Sequence, residues 1–288
     1  MRRLTHEEFV TRVKKRHPEL RVNSQYRNTR SPVRMRCTKK DSIGEAHGEF
    51  TVRDTSAFLH GKNNRNGCKK CANESRSIAK TQHSYNYNYF DVPNMENCYW
   101  AGFIAADGCI TTKNQIIIKL SNKDKHHLQT LAEAVLFTGK LYGYNRETNF
   151  GKYTTTELYF SNGLRWITAL QNNFNIGTQK SLTYTHPNNL TDEQSLAFIR
   201  GYIDGDGHVS RNPRIRIGAA GTLDTLMWIQ QHFDRISPSC SLNGMTAKPR
   251  KMRGCNVYYY EIAHKRAEKA INILAKLDTP ALKRKWYV

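Results

Sequence analysis

The chain has 288 residues, which is enough for two or three modest domains. Its 45 Lys and Arg residues outnumber its 24 Asp and Glu residues, and the formal charge of +21 predicts a polyanionic partner, with nucleic acid as the default. No apolar run approaches the roughly 20 residues that a bilayer span requires, so we exclude membrane insertion.

The amino-terminal residues MRRLTHEEFVTRVKK are charged and lack the apolar core of a secretory signal. We therefore expect an intracellular, non-secreted protein with reduced cysteines, in the cytoplasm of a bacterial or phage-infected cell. Residues 1–80 carry a net charge of +12 and the longer remainder only +9. Residues 81–94, TQHSYNYNYFDVPN, are polar and aromatic without a helical or strand period, which predicts a linker or an extended arm.

In the basic first part, four residues have the spacing C-x9-H-x20-C-x2-C: Cys37, His47, Cys68 and Cys71. A thiolate pair two residues apart commonly holds half of a tetrahedral zinc site, and Cys37 and His47 lie beside short strand-like runs. A polar segment this short has too few apolar residues for a metal-free core. We therefore predict structural Zn²⁺ rather than reduced, buried cysteines beside a surface histidine, with His60 as the reserve ligand.

This part also resembles a small zinc module found beside nuclease domains in phage and bacterial proteins. The resemblance covers roughly residues 7–72 and depends on the run HGEF, the ending GCKKC and the amphipathic stretch EEFVTRVKKRHPEL. It departs at KKDSIGEA, which is longer than the module's pattern between Cys37 and His47. We expect residues 1–80 to form a basic zinc-binding module that contacts DNA.

Downstream, the sequence contains an internal repeat. The runs NCYWAGFIAADG and LAFIRGYIDGDG align at an offset of 99, so that Asp107 matches Asp206 and Gly108 matches Gly207. Each Asp-Gly pair ends an apolar run with helical spacing and is followed by strand-like sequence. A lone Asp-Gly pair is usually a turn, but two copies of a helix, an Asp-Gly pair and a hairpin indicate a duplicated unit.

Small residues recur at every fourth position of both runs: Cys98, Gly102 and Ala106, and then Ala197, Gly201 and Gly205. Such ridges let two helix backbones approach closely, and their pairing about a pseudo-two-fold axis would bring Asp107 and Asp206 together. Two carboxylates at helix C-termini repel each other and oppose the helix dipoles, and bound divalent cations would relieve both penalties. Two ordinary core helices would explain the small residues but not the paired acids.

The runs WAGFIAADG and IRGYIDGDG resemble the motif of the LAGLIDADG family of homing endonucleases. The resemblance spans about residues 94–288 and implies a two-motif, single-chain enzyme that cuts both strands of a DNA site and leaves short 3′ overhangs. In that family the last acid of the motif binds the catalytic metal. The resemblance therefore implies that Asp107 and Asp206 hold Mg²⁺ or Mn²⁺, and that Gly108 and Gly207 belong to the same metal site.

Two positions depart from the family motif. Ala105 replaces its first acid in the first copy, whereas Asp204 keeps that acid in the second, and Arg200 stands where the family usually has alanine. These departures concern helix packing and capping more than the metal site.

The family also keeps a basic residue near each metal site, in the segment after the last helix of a repeat. The resemblance points to Lys180 and Lys285 as catalytic residues, with Lys283 as the alternative to Lys285, and a plain phosphate contact is equally open for each. Asn122, after the second strand, is a candidate to orient solvent, whereas its counterpart is Ala220 by our alignment. This asymmetry predicts unequal cutting rates for the two strands.

The remaining sequence of each copy fits the family's αββαββα plan when it is interpreted from pattern alone. In the first copy, KDKHHLQTLAEAVLF and LRWITALQNNF have helical periodicity, while GKLYGYNRE and YTTTELYFS alternate like strands. The second copy repeats this order with TLDTLMWIQQHFDRI, SLNGMTAKPR, CNVYYYEIA and KRAEKAINILAKL. We predict an α+β fold in which two pseudo-symmetric repeats, residues 95–187 and 188–288, form a DNA-binding saddle behind the small zinc-binding domain.

The outer faces of the two sheets should carry side chains that contact the major groove of double-stranded DNA. Any single charge is more often a solvated surface residue, so we assign the contact collectively to Lys113, Lys119, Asn122, Arg146, Lys152, Arg211, Arg214, Arg216, Lys248 and Arg253.

Three functions fit these features: a site-specific endonuclease, an intron RNA maturase with the same fold, and a non-catalytic DNA-binding regulator. The presence of both Asp107 and Asp206 favours the endonuclease and counts against the regulator. A basic saddle binds structured RNA as readily as duplex DNA, so intron RNA stays open as a partner. Because both half-sites lie in one chain, we expect a monomer on DNA.

Overall fold

The structure, a computed structural model, describes residues 4–41, 44–60, 68–80, 83–148, 151–238, 248–254 and 256–286. The chain divides into two compact units, Met1–Gln82 and His83–Val288. None of the described helices is long and apolar enough to cross a membrane.

The first unit is built on a three-stranded antiparallel sheet in the order β1-β2-β3. Thr5 and Glu8 start its first helix as a capping box, in which the Thr5 hydroxyl accepts from the Glu8 amide at 3.2 Å. Phe9 stacks on Tyr26 with ring centroids 4.2 Å apart and anchors a small core. The elements are α1 (His6–Arg16), β1 (Leu20–Val22), β2 (Val33–Lys40), β3 (Ala46–Val52), α2 (Thr55–His60) and α3 (Lys69–Lys80).

The second unit contains two αββαββα repeats, which confirms the predicted α+β fold and element order. The first repeat consists of α4 (Met95–Asp107), β4 (Gly108–Ile110), β5 (Ile116–Ser121), α5 (Lys125–Ala134), β6 (Tyr142–Thr148), β7 (Gly151–Phe160) and α6 (Leu164–Phe174), and a short α7 (Lys180–Thr183) follows it. The second repeat consists of α8 (Asp192–Asp206), β8 (Gly207–Ser210), β9 (Arg216–Gly221), α9 (Leu223–Ile236), β10 (Arg250–Lys251), β11 (Tyr258–Ala263) and α10 (His264–Ala275), before a short α11 (Lys283–Trp286).

Each repeat has one antiparallel four-stranded sheet, with the strand orders β4-β5-β7-β6 and β8-β9-β11-β10. In the second copy, the predicted strand SLNGMTAKPR falls mostly outside the described residues, and only Arg250–Lys251 forms a strand there. The alternating burial of β5 fits a strand with one face on the core and one face outward.

The segment of residues 83–94 belongs to the second unit. Tyr85 is buried and its hydroxyl donates to the Ser161 carbonyl at 2.7 Å, while the Trp166 indole donates to the Asn86 carbonyl at 2.8 Å. Buried aromatic residues therefore attach this segment to the first repeat.

Strand register identifies the equivalent positions of the two repeats. Gly108 pairs with Ile118, and Gly207 pairs with Ala219, so the second hairpin is two residues longer than the first. Our sequence comparison missed this insertion and was wrong about Ala220. The register makes Ala220 the counterpart of Lys119, and it makes Leu223 the counterpart of Asn122.

Helices α4 and α8 form the centre of the second unit. Almost every residue of their middle turns is buried, and the two helices pack along the small-residue ridges seen in the sequence. Gly102 contacts the Phe198 backbone, Gly201 contacts the Tyr99 backbone, and Gly205 lies against Ala106. Both helices end in an aspartate, and each aspartate is followed directly by the first strand of its sheet.

Candidate active site and metal centre

Asp107 and Asp206 lie at the C-terminal ends of the paired helices α4 and α8. A Cβ on Gly205 would lie 3.5 Å from the Asp107 carboxyl carbon, so the second helix contacts the first acid directly. Both aspartates keep solvent access. Burial, followed by the charge of Asp206, raises the pKa of Asp107 to about 6, and burial also raises the pKa of Asp206. The two accessible carboxylates are therefore close enough for the charge of Asp206 to disfavour the ionised form of Asp107.

A buried lysine caps the end of each helix. Lys180 Nζ donates to the carbonyl oxygens of Ala105 and Ala106, at 2.6 and 2.9 Å. Lys285 Nζ donates to three carbonyl oxygens at 2.7–2.8 Å, those of Ile203, Asp204 and Gly207. Ammonium groups at helix C-termini are stabilised by the negative end of the dipole. The contact with Gly207 also means that its carbonyl oxygen already has a partner.

The electrostatic coupling runs between the repeats. Burial lowers the pKa of Lys180, and the charges of Asp206 and then Asp107 oppose that shift. Burial also lowers the pKa of Lys285, and Asp204 and Asp107 oppose it. Each lysine thus interacts electrostatically with an acid of the other repeat while it caps the helix of its own repeat. Asp107, Asp206, Lys180 and Lys285 therefore form one site.

The collectively predicted DNA-contact residues have different environments. Lys119 is exposed on β5 and forms an ion pair with Glu157 at 2.9 Å, and Arg216 lies 3.8 Å from Glu261. Four others are exposed in turns and loops: Lys113, Arg214, Lys248 and Arg253. The side chains of Arg146, Lys152 and the reserve zinc ligand His60 lie outside the described residues.

Two predicted residues, Arg211 and Asn122, have protein partners that limit their proposed roles. Arg211 donates to the carbonyl oxygens of Lys285 and Trp286, at 3.2 and 2.8 Å, so it binds the carboxyl-terminal segment. Asn122 accepts a hydrogen bond from the Thr156 hydroxyl at 3.0 Å. Lys283, the alternative to Lys285, is exposed on α11.

Sequence interpretation missed several groups on the outer faces of the sheets. Tyr142, Tyr144 and Tyr153 are each more than two-fifths exposed on β6 and β7. Tyr142 pairs with Glu157, which also pairs with Lys119. The register therefore places Tyr142, Glu157 and Lys119 on one face of the sheet. In the sequence, the tyrosines at every second position of YGYNRE could have indicated that Tyr142 and Tyr144 share one face of the strand. In the second sheet, His208 Nε2 lies 2.8 Å from the Glu261 carboxylate.

The four predicted zinc ligands come together in the first unit. The Sγ atoms of Cys37, Cys68 and Cys71 and one ring nitrogen of His47 all lie within 4.8 Å of one another. His47 Nδ1 is 3.1 Å from Cys71 Sγ, 3.5 Å from Cys68 Sγ and 3.8 Å from Cys37 Sγ. A tetrahedral zinc ion with Zn–S bonds of about 2.3 Å requires ligand separations of about this size.

Glu74 supports this cluster and was not foreseen. It lies three residues after Cys71 on α3, and its carboxylate is 2.9 Å from His47 Nε2. This contact fixes the tautomer and leaves Nδ1 to face the sulfur atoms. Burial raises the pKa of Cys71 to about 12 and also raises that of Cys37. Without a cation these thiols would stay protonated, so the donor set fits a divalent soft-to-borderline metal such as Zn²⁺.

The profile of the LAGLIDADG-like domain family matches residues 193–221, which cover most of α8 together with β8 and β9. No curated protein matches the chain. The match includes Asp206 and the hairpin that follows it.

The chain is also similar to solved structures at low identity. One is the homing endonuclease I-WcaI bound to its DNA recognition sequence, with a TM-score of 0.46 and 12% identity over 79% of this chain and 96% of that chain. Another comprises mesophilic variants of the homing endonuclease I-DmoI, with a TM-score of 0.40 and 14% identity over 68% of this chain and 96% of that chain. A third is the N-terminal LAGLIDADG domain of DUF199/WhiA, with a TM-score of 0.40 and 16% identity over 70% of this chain and 88% of that chain. The fold assignment depends on the element order and strand pairing of this chain.

Proposed function

We propose that the chain is a site-specific, divalent-metal-dependent endonuclease of the LAGLIDADG type that cuts both strands of a DNA site. The observation that carries this proposal is the pair Asp107 and Asp206, which end two closely packed helices, each beside a buried lysine. The family match over residues 193–221 supports it.

The acids fit Mg²⁺ or Mn²⁺, because these ions prefer oxygen ligands and often keep only one or two protein carboxylates. Both carboxylates are accessible, and both have a raised pKa that a bound cation would lower. Such a cation supplies Lewis-acid stabilisation of a phosphate and activation of water. Asp107 and Asp206 would hold it at the scissile phosphates, and the following glycines let each strand turn away from the helix end.

The two lysines suit different tasks. An ammonium has three N–H donors, and Lys180 uses two of them on the first helix, which leaves one for a phosphate oxygen or a leaving group. Lys285 uses all three on carbonyl oxygens. We therefore assign Lys180 a direct contact with DNA, whereas Lys285 contributes a fixed positive charge near Asp107.

The outer faces of the two sheets would bind the duplex. Lys119 and Arg216 are paired with carboxylates there, and these pairs can exchange for phosphate or base contacts when DNA binds. The first unit would bind one structural Zn²⁺ through its Cys3His cluster and contact flanking duplex through its excess of basic residues. Because one chain holds both acids, a monomer should suffice.

Cleavage of a randomised duplex library in Mg²⁺ tests the proposal, and Asp107→Asn is the decisive variant. It should abolish metal-dependent cutting while DNA binding is retained, because it removes a ligand charge without changing the size of the side chain. Asp192→Asn is the matched control, since Asp192 is an exposed acid at the opposite end of α8. Unchanged cutting by Asp107→Asn would refute the assignment of Asp107 and Asp206 as the catalytic metal ligands, and a wild-type protein that cuts no duplex would refute the nuclease. Tight binding of structured RNA without DNA cleavage by the wild type would favour the maturase instead.

A further inference from the structure

We propose that residues 277–286 form a C-terminal latch, which Arg200, Asp204 and Arg211 hold against the second repeat so that Lys285 is fixed at the end of α8. The latch would make the cutting of one DNA strand depend on contacts that the other strand does not need. This inference rests on the proposed endonuclease function and assigns positioning residues within it.

Arg200 holds the beginning of the latch. Its side chain is fully buried, and its Nη1 donates to the Leu277 carbonyl at 2.8 Å and to the Thr279 hydroxyl at 3.0 Å. Its guanidinium carbon also lies 5.3 Å from the ring centroid of Trp286, at the other end of the latch. A buried guanidinium is costly unless its donors are satisfied, so these contacts tie the segment firmly to α8.

Asp204 holds the end of the latch. It lies one turn after Arg200, on the same face of α8, and is only 2% exposed. Its carboxylate accepts from the Leu282 amide at 2.8 Å and from the Trp286 indole at 2.7 Å. The Tyr99 hydroxyl donates to the same carboxylate at 2.6 Å, which links the latch to α4 of the first repeat.

Lys285 lies between the two residues that Asp204 binds. Arg211 donates to the carbonyl oxygens of Lys285 and Trp286, so the backbone on this side is also held. All three N–H groups of the Lys285 ammonium donate to carbonyl oxygens, which fixes the ammonium in one place. The latch therefore determines where this positive charge lies relative to the acids.

The first repeat is built differently at the same positions. Ala101 and Ala105 stand where the second repeat has Arg200 and Asp204, so among the described residues α4 has no side chain that could grip a following segment in this way. Lys180 reaches the end of α4 through only two hydrogen bonds. The departure at Arg200 thus gives the second repeat one of the contacts that hold the latch, and the departure at Ala105 leaves the first repeat without the matching acid, so the two half-sites are unequal.

The test is single-turnover cleavage of a target duplex labelled separately on each strand. Asp204→Asn and Trp286→Phe should slow the same strand that Lys285→Met slows, by about 10- to 100-fold, because a misplaced charge beside the catalytic acids costs roughly that much. Trp286→Phe keeps the ring beside Arg200 and removes only the indole donor. The other strand should keep its rate, so nicked DNA should accumulate. Combining Trp286→Phe with Lys285→Met should add little to Lys285→Met alone.

Arg266→Met is the matched control, since Arg266 likewise donates to a backbone carbonyl, that of Ser237, and to the Asp234 carboxylate, but between α9 and α10. It should lower stability without separating the two strand rates. Hydrogen exchange provides a readout independent of cleavage: the Leu282 amide should lose protection in Asp204→Asn. Equal slowing of both strands, an additive double variant, or an unprotected Leu282 amide in the wild type would overturn the latch. A wild-type protein that cuts no duplex would instead refute the endonuclease, and exchange at Leu282 would still decide whether the segment is held.

Discussion

Gly102 and Gly201 are equivalent residues of the two repeats, and each lies against the backbone of the other's helix. A Cβ on Gly102 would lie 2.0 Å from the Phe198 carbonyl oxygen, and one on Gly201 would lie 1.9 Å from the Tyr99 carbonyl oxygen. Both distances are far below van der Waals contact, and the obstacle is backbone rather than a flexible side chain. The close approach of α4 and α8, and with it the meeting of the two acids, therefore requires glycine at both positions.

Gly201→Ala should reduce the free energy of unfolding by about 1–3 kcal/mol or more, because the added methyl forces the two helices apart. It should also weaken cleavage, since the separation moves Asp107 away from Asp206. Urea unfolding of the full chain measures the first effect. Gly143→Ala is the control, because nothing lies within 4 Å of its added Cβ, and it should change stability by less than about 1 kcal/mol. Equal stability of the two variants would contradict the close packing.

The parts of the site that sequence predicted are those with local or repeated signals. The fourfold spacing of small residues identified the helix contact, and the Cys/His spacing identified all four members of the cluster that the structure assembles. Each half of these patterns lies on one local element: each small-residue ridge on one helix, Cys37 and His47 on the β2–β3 hairpin, and Cys68 and Cys71 at the start of α3. Each half can therefore be recognised from its local spacing, before the long-range contacts that join the halves are known.

The parts that sequence did not predict depend on long-range packing. Arg200 binds Leu277 and Thr279, which lie 77 and 79 positions later, and nothing in its local pattern indicates that. Arg211 was assigned to DNA for its charge alone, yet it binds the latch. The two-residue insertion in the second hairpin was also missed, because an insertion of this kind is invisible until strand register is known.

Lys180→Met should slow one strand much more than the other and accumulate nicked DNA, because the remaining N–H donor of Lys180 would serve one scissile phosphate. Loss of a positioned acid or charge of this kind typically costs about 100-fold or more. Strand-resolved single-turnover rates at saturating protein provide the measurement. Lys283→Met is the control, since Lys283 is an exposed lysine at the start of α11. Loss of DNA binding without any nicked intermediate would show that Lys180 is a phosphate anchor.

Two buried histidines should make the protein less stable in mild acid. Burial lowers the pKa of His127 and of His232 to about 4. Unfolded histidine titrates near 6.5, so the unfolded chain binds more protons between about pH 6.5 and 4, and stability falls as the pH falls through that window. A shift of this size corresponds to about 3 kcal/mol for each histidine by pH 4.

Urea unfolding at pH 7.5, 5.5 and 4.5 tests this expectation. His232→Gln should flatten the decline, because the variant has one fewer group to protonate on unfolding. His126→Gln serves as the control, since His126 is exposed and its replacement should leave the slope unchanged. A decline of the same steepness in His232→Gln would mean that other groups cause the acid sensitivity.

The zinc module should bind one Zn²⁺ and extend the DNA footprint without taking part in cleavage. Cys68→Ser together with Cys71→Ser should remove the metal and unfold the first unit, because its small core depends on the cluster. Glu74→Gln should weaken zinc affinity by about 10- to 100-fold, since it removes the carboxylate that orients His47. Metal content by atomic emission measures both effects. Cys98→Ala, which removes a thiol of the second unit, should keep its zinc.

The same double cysteine variant should bind DNA more weakly and with a flatter dependence on salt. Residues 1–80 carry a net charge of +12, and each phosphate that they neutralise adds about 0.9 to the slope of log affinity against log salt. The single-turnover cleavage rate at saturating protein should change little, because Asp107 and Asp206 remain. Footprinting and binding at several salt concentrations provide the measurements. A variant with the wild-type footprint and salt slope would show that the module does not contact DNA, and absence of stoichiometric zinc in the wild type would refute the metal site.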